Sequence, residues 1–341
     1  MKHGISVVIP LHNSEAFMDR SIGSVLAQLT PGDEILLVEN GSSDGTLEKA
    51  QAYSQQHPAI RTLHLEGSGV SAARNAGIEA ARDEWITFLD ADDALQPGAL
   101  DLLRAYRGEA DLMIGGYRRE MLEAQAPLQA VPIDKELLVG GCLRYAKYQR
   151  KLLRYGIDKV SIWTCWGKFY RRTLLERHCV RFPVGVALSE DTAFCYQCYA
   201  MAERPEVLHN TVYYYYVNVN PTSVTQSYHP NLHENHMRLL DAFWRYDVTE
   251  YPPHPRDAAA FAVARVIEIA QSLCDPRCEY TLHQKKEILR TVWEDPRVQT
   301  AVRESPRLYL KIGKRNSINY FRAARLLKKK KYLSLLTMKF I

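Results

Sequence analysis

Three carboxylates lie within four residues in the stretch ITFLDADDAL (86–95): Asp90, Asp92 and Asp93. They follow Ile86 to Leu89, an apolar run of the kind that forms a buried strand, so less water screens their mutual repulsion than on an open loop. A positive partner, side chain or cation, would relieve that repulsion. The plainer reading is a polar loop whose acids start the next helix, since Asp is favoured at N-caps and first turns. A calcium loop fails on spacing, because Ala94 and Leu95 stand where a third oxygen ligand and a Gly would be needed. A second acidic pair, Glu190-Asp191 in ALSEDTAF (187–194), reads as a helix start with Ser189 as N-cap.

These groups need elements to position them. The first 120 residues alternate short apolar runs (5–10, 34–39, 61–66, 85–90 and 111–116) with helical spacing at 14–29, 44–56, 70–82 and 97–107. Such alternation, with nearly continuous apolar strands, predicts a parallel sheet covered on both faces, an α/β fold. Ligands of such sheets bind beyond the carboxyl ends of the strands, where His12 and Asn13, Glu39 and Asn40, and Asp90 to Asp93 would all sit. From about residue 134 the pattern shifts to longer helices, a basic-aromatic segment (163–175) and a Tyr-rich strand (213–217). Residues 231–341 read as mostly helical, with a boundary near 225–230, after the Pro221 turn and before Pro230.

The totals narrow the classes. A chain of 341 residues can bury a sizeable core, as one large domain with an appendage or as two domains. Its net charge of +5 hides an asymmetry: residues 1–120 hold 10 Lys and Arg against 18 acids, and residues 301–341 hold 12 against one. The tail segment 319–341 combines a Lys run with Phe, Leu, Met and Ile, as an interfacial helix on anionic lipid would. No nucleic-acid recognition motif accompanies the charge. No run of 18 apolar residues and no signal peptide is apparent, so a cytoplasmic protein is expected, peripheral on the inner face of the membrane. Seven cysteines without framework spacing suit reduced thiols. Cys195 and Cys198, with Cys274 and Cys278, can be read as a zinc set or as small apolar groups packed in the core. Trp163, Trp166 and Tyr213 to Tyr216 can be read as a sugar-stacking wall or as core.

GSGVSA (67–72) approaches a dinucleotide-binding fingerprint, but two strand-helix units precede it, and carboxylates beside a pyrophosphate repel it unless a metal intervenes. A better match comes from five ordered motifs: SVVIPLHN (6–13), LLVENGSSDGT (36–46), GVSAARNAGIEAA (69–81), ITFLDADD (86–93) and ALSEDTAFC (187–195). Together these resemble the family 2 glycosyltransferases of GT-A fold, a Rossmann-like nucleotide-diphospho-sugar transferase domain. WGKFYRRTLL (166–175) and YYYYVNVNPTSVT (213–225) look like signatures of the bacterial surface-polysaccharide branch.

The resemblance implies a GT-A domain over 1–228, with a nucleotide-sugar part (1–120) and an acceptor part (121–228). A helical region (229–341) with a basic tail (315–341) would follow. It also implies inverting transfer of a sugar from a nucleoside-diphosphate donor, UDP-linked, to an acceptor hydroxyl on a glycan or lipid-linked glycan, with Mn²⁺ or Mg²⁺. In that scheme Asp92 contacts the metal and Asp90 the ribose or a metal-bound water. Asp191 is the catalytic base, and Glu190 bonds the acceptor or orients the loop. Pro10, His12, Asn13, Glu15, Glu39, Arg74 and Asn75 bind the donor. Two departures stand out. Glu39-Asn40 replaces the usual Asp-Asp, and Val217 replaces an Arg that relatives place near the diphosphate, a role for which Lys168, Arg171, Arg172 or the turn 220–225 are candidates. Two rivals remain at this level, a catalytically weak scaffold in a membrane assembly and a nucleotidyltransferase.

Overall fold

The computed structural model describes residues 4–106, 108–119, 128–139, 141–142, 151–152, 154, 161–216, 229–245, 255–304, 325–326 and 329. Val217, the turn 220–225, residues 225–228 of the expected boundary and nearly all of the basic tail lie outside them. Two compact units emerge: residues 1–138 with 151–221, and residues 139–150 with 222–341.

The first unit is built on a nine-stranded sheet. Strands β1 (Ile5–Leu11), β2 (Glu34–Asn40), β3 (Ile60–Leu65) and β4 (Trp85–Phe88) pair in parallel in the order β3-β2-β1-β4. Between them run α1 (Met18–Leu26), α2 (Thr46–Gln56) and α3 (Val70–Ala80). All seven residues of β2 are buried, as a strand covered on both faces requires, whereas edge strand β3 is mostly half-exposed. On one face Val7, Ile9, Leu11, Ile35 and Leu37 pack against Met18, Ile22 and Val25 of α1 and Ala50 of α2. On the other, α3 lies so close to β1 that a Cβ on Gly77 would overlap Val8. That contact fixes the height of Arg74, about one turn earlier on α3.

The rest of the sheet departs from the expected series. After β5 (Ala94–Leu95), α4 (Ala99–Ala105), β6 (Leu112–Arg118) and β7 (Ala130–Pro132) come β8 (Lys168–Arg171), α5 (Arg172–Arg177), α6 (Glu190–Met201) and β9 (Pro205–Tyr214). Strand β8 inserts antiparallel between β4 and β6, and β9 runs parallel to β6 and antiparallel to β5 and β7. The sheet is therefore parallel across β3-β2-β1-β4 and mixed beyond it, with β5 and β9 meeting beside the acidic loop.

The second unit is helical among its described residues: α7 (Leu232–Arg245), α8 (Pro255–Leu273), α9 (Leu282–Glu294) and α10 (Pro296–Glu304). Thr281 and Gln284 close a capping box at the start of α9. Phe243 and Phe261 pack with ring centroids 4.3 Å apart, and Arg297 pairs with Asp241 at 2.5 Å. Among the described residues, no helix is long and apolar enough to cross a membrane.

Candidate active site

Arg74 is the centre of the site. Its side chain is 5% exposed, and its guanidinium bonds three carboxylates: Nη1 to Asp191 Oδ1 at 2.6 Å and Glu190 Oε1 at 3.1 Å, and Nη2 to Asp90 Oδ1 at 3.0 Å. The sequence asked for a positive group beside the acids; this is a positive group, and it joins the two acidic motifs. Burial works against the Arg74 charge, but Asp191, Asp90 and Glu190 outweigh it and hold the group protonated. Burial pushes the Glu190 carboxyl up to about 7, with the neighbouring Asp191 charge adding and Arg74 offsetting part. Burial likewise pushes Asp90 up to about 6 against the pull of Arg74.

The surroundings keep that hub in place. Asn75 Nδ2 donates to Phe182 O at 2.9 Å, and its Oδ1 accepts from Phe182 N at 2.8 Å. Phe182 stacks on Phe194 of α6 at 3.9 Å, and both meet Phe88 of β4 edge-on. Asn75, expected at the donor, thus serves to dock the 182 segment onto α3. Helix α6 begins at Glu190, but Ser189 adopts a left-handed conformation (φ 67°) and its side chain makes no cap. Asp191 Oδ2 instead accepts from Cys165 N at 3.3 Å, which ties α6 to the loop before β8.

The acidic loop divides its three acids. Asp93, expected to start the next helix, is 1% exposed and does not do so, since β5 follows and α4 begins only at Ala99. Its carboxylate accepts from Tyr213 Oη at 2.6 Å and from Tyr216 N at 2.7 Å. Burial raises it to about 8, and the Asp90 charge adds to the rise. Tyr213 Oη also accepts from Asp90 N at 3.3 Å. The Asp92 carboxylate has no hydrogen-bond partner among the described residues, while the Asp92 carbonyl accepts from Arg20 of α1. Trp166 lies in the core, stacked on Tyr213 at 4.3 Å and on Tyr215 at 5.7 Å, and the ring of Tyr213 is fully buried.

At the other end of the carboxyl edge lie Pro10, His12, Asn13 and Glu15. Pro10, the half-exposed residue of β1, lies opposite Val38, and Leu11 after it is buried. The exposed His12 places Nδ1 3.0 Å from Asn40 O. Asn13, at φ 48°, accepts through Oδ1 from Ser43 N at 2.8 Å, and Glu15 accepts from Gly45 N at 3.1 Å. Glu39 departs from expectation. It is 1% exposed, with Oε1 taking Ser42 N at 2.6 Å and Oε2 sitting 2.5 Å from His64 Nδ1. Burial raises its proton affinity, but these bonds outweigh burial and leave the carboxyl below its usual range. Glu39 is thus an anchor between β2 and β3 rather than an exposed reader of the donor. Its neighbour Asn40 accepts from Ser68 N at 2.8 Å and ties the loops after the same two strands, where Gly41 (φ +69°) leaves room for Gly67.

The candidate cations for the diphosphate also fall elsewhere. Lys168 is 1% exposed and its ammonium bonds the carbonyls of Ser161 (2.7 Å), Thr164 (2.5 Å) and Trp166 (3.5 Å), so it staples its own loop. Because β8 runs antiparallel to β4, Arg171 lies opposite Trp85 at the amino end of β4, where it bonds Ala110 O and Glu84. Arg172 bonds Asp83 O there too. Cys195 and Cys198 are buried along α6, and no group of three or more His, Cys, Asp or Glu is placed to hold a metal among the described residues. Sequence reasoning missed Arg20, and it named Tyr213 only within a stacking wall or core, not as a partner of Asp93. Arg20 reads as an ordinary polar position of an amphipathic helix, and Tyr213 as one of four equivalent tyrosines.

The comparisons bear on the family and the fold. The family Glycosyl transferase family 2 matches residues 6–179. The uncharacterized glycosyltransferase EpsJ of Bacillus subtilis is 30% identical over 241 residues, covering 70% of this chain and 68% of that one. The poly(ribitol-phosphate) beta-glucosyltransferase of Bacillus spizizenii is 26% identical over 245 residues, 66% of this chain and 34% of that one. Among solved structures, S. aureus TarS 1–349 in complex with UDP-GlcNAc superposes with TM-score 0.67 at 17% identity, over 98% of this chain and 90% of that one, a likeness of fold. With this sheet and these matches, the chain belongs to glycosyl transferase family 2 and is a glycosyltransferase.

Proposed function

We propose that the chain moves a sugar from a UDP-linked donor to a hydroxyl of a lipid-linked surface glycan, with inversion, using Asp191 as base and Asp92 as cation ligand. The observation that carries this reading is the Arg74 bridge, which brings Asp191 onto the acidic loop. Arg74 and Cys165 N–H each engage one Asp191 oxygen, fixing the carboxylate while leaving each oxygen a lone pair. The acceptor O–H donates its proton to Asp191, its oxygen forms the bond to the anomeric carbon, and the bond to the diphosphate breaks. A single displacement inverts the configuration. A positioned base contributes about 10²- to 10⁴-fold to such a step.

The donor set suits a divalent cation shared with the substrate. Asp90 and Asp93 are bonded within the chain, whereas the Asp92 carboxylate is partly exposed with no partner among the described residues. One or two carboxylates plus phosphate oxygens is the usual way Mg²⁺ is held, and Mn²⁺ favours the same oxygen ligands. A cation bound there would neutralise charge on the leaving diphosphate. The acceptor class is supported by the poly(ribitol-phosphate) relative, and the charge of residues 315–341 supports peripheral contact with anionic lipid. TarS crystallised with UDP-GlcNAc is the reason to begin with uridine nucleotides.

The test is thermal unfolding with Mn²⁺ against UDP, GDP, CDP, their sugars and nucleoside triphosphates. Selective binding stabilises by about 2.7 kcal/mol at a hundred times Kd. Stabilisation by a UDP-sugar, with transfer to a glycan acceptor, is expected. No stabilisation by any nucleotide would favour the scaffold, and pyrophosphate release from a triphosphate would favour a nucleotidyltransferase.

A further inference from the structure

Contacts hold the chain on both sides of Asp92, while the Asp92 carboxylate has no hydrogen-bond partner among the described residues. On one side, the Asp92 carbonyl accepts from the Arg20 guanidinium, whose carbon lies 3.7 Å over the centre of the Tyr216 ring. On the other, the next residue, Asp93, bonds the backbone N–H of that same Tyr216 at 2.7 Å and the hydroxyl of Tyr213 at 2.6 Å. Tyr213 in turn receives Asp90 N–H at 3.3 Å. The strand pairing continues the same registration, since Ala94 lies opposite Tyr214 and Leu95 opposite Tyr213. A buried carboxylate such as Asp93 is costly unless bonded, so its two tyrosine partners are specific to this arrangement.

We propose that Arg20 and Asp93, joined through Tyr216 and Tyr213, are positioning residues that fasten the acidic loop to the end of β9 and so aim the Asp92 carboxylate at the donor diphosphate and its cation. Neither residue touches the donor in this arrangement. Arg20 orients the Asp92 carbonyl from α1, and Asp93 prevents the loop from turning at the following residue. Partners that orient a metal ligand typically account for about 10- to 100-fold in metal affinity. A guanidinium is suited to the Arg20 position because it stacks on an aromatic face while donating in its own plane, which an ammonium cannot do.

The proposal rests on Asp92 being a cation ligand, and calorimetry of UDP binding in Mn²⁺ and in EDTA separates the two ideas. Wild-type affinity that is the same in both media overturns the cation role itself, and the positioning role with it. Where Mn²⁺ strengthens wild-type binding over that in EDTA, Arg20→Ala and Tyr213→Phe are expected to weaken it about 10- to 100-fold in Mn²⁺ and to leave the weaker binding in EDTA unchanged. Tyr216→Phe, which keeps the ring and the backbone N–H, should bind as the wild type does. Unchanged Mn²⁺-dependent affinity in Arg20→Ala overturns the positioning role, and so does an equal loss in both media. Arg20 is a partly exposed helix position, so its variant remains informative should the buried Tyr213→Phe fail to fold.

Discussion

Arg74 Nη1 and Asp191 Oδ1 are 2.6 Å apart although 117 positions separate the two residues in the chain. That bond, with those to Glu190 and Asp90, lets one buried guanidinium hold together carboxylates that would otherwise repel. Removing it leaves buried charge uncompensated, which costs about 3–5 kcal/mol. Arg74→Met is therefore expected to lose that much in urea unfolding and to lose transfer. Arg74→Lys should recover part of the stability, since a single ammonium cannot span three carboxylates. Unchanged unfolding in Arg74→Met would mean that the bridge does not form.

Glu190 gives the site a pH signature. Its carboxyl is raised from 4.5 to about 7 by burial, with the Asp191 charge adding and Arg74 offsetting part, so between those values the folded state holds a proton that the unfolded state has released. Stability contributed by this group is present below about pH 4.5 and falls as pH rises toward 7. Asp90 and Asp93, raised to about 6 and about 8, act in the same sense. Glu190→Gln should flatten the fall of Tm with pH in metal-free protein. A wild-type-like slope in that variant would contradict the assignment.

Lys168 separates a structural cation from a donor cation. Its ammonium bonds three carbonyls of the 161–166 loop. Lys168→Met would strand them, at about 1–3 kcal/mol for each buried acceptor left unsatisfied. The expected result is a lowered Tm with UDP affinity retained in the folded protein. The reverse pattern, normal Tm and lost affinity, would make Lys168 a donor contact.

Much of this was legible in the sequence, for physical reasons. The strands and helices of the parallel half of the sheet carry local signals, and β1, β2 and β4 lie within a residue or two of the apolar runs that mark them. Strand β8 is four residues long, and nothing in KFYR (168–171) says that it inserts between β4 and β6. The acids at 90 and 92 could be singled out because charge after an apolar run is anomalous by itself, and Glu190 and Asp191 through the motif ALSEDTAFC. Arg74 was named through the resemblance as a donor-binding residue, but its bridge between the two acidic motifs was not legible, because that role exists only through tertiary contacts. Glu39 and Lys168 were placed at the donor by motif position, whereas burial and hydrogen bonding within the chain give them anchoring roles. Asp93 fits a helix start by composition, and only the proximity of Tyr213 and Tyr216 assigns it otherwise.

The assignment of Asp191 as base is tested most directly by Asp191→Asn, assayed for sugar transfer under donor saturation beside calorimetric UDP binding in Mn²⁺. The amide keeps the size of the side chain and cannot take the acceptor proton. Turnover at least about 10²-fold below wild type, with UDP affinity nearly unchanged, is the expected result. Transfer at near wild-type rate by a folded Asp191→Asn would contradict it.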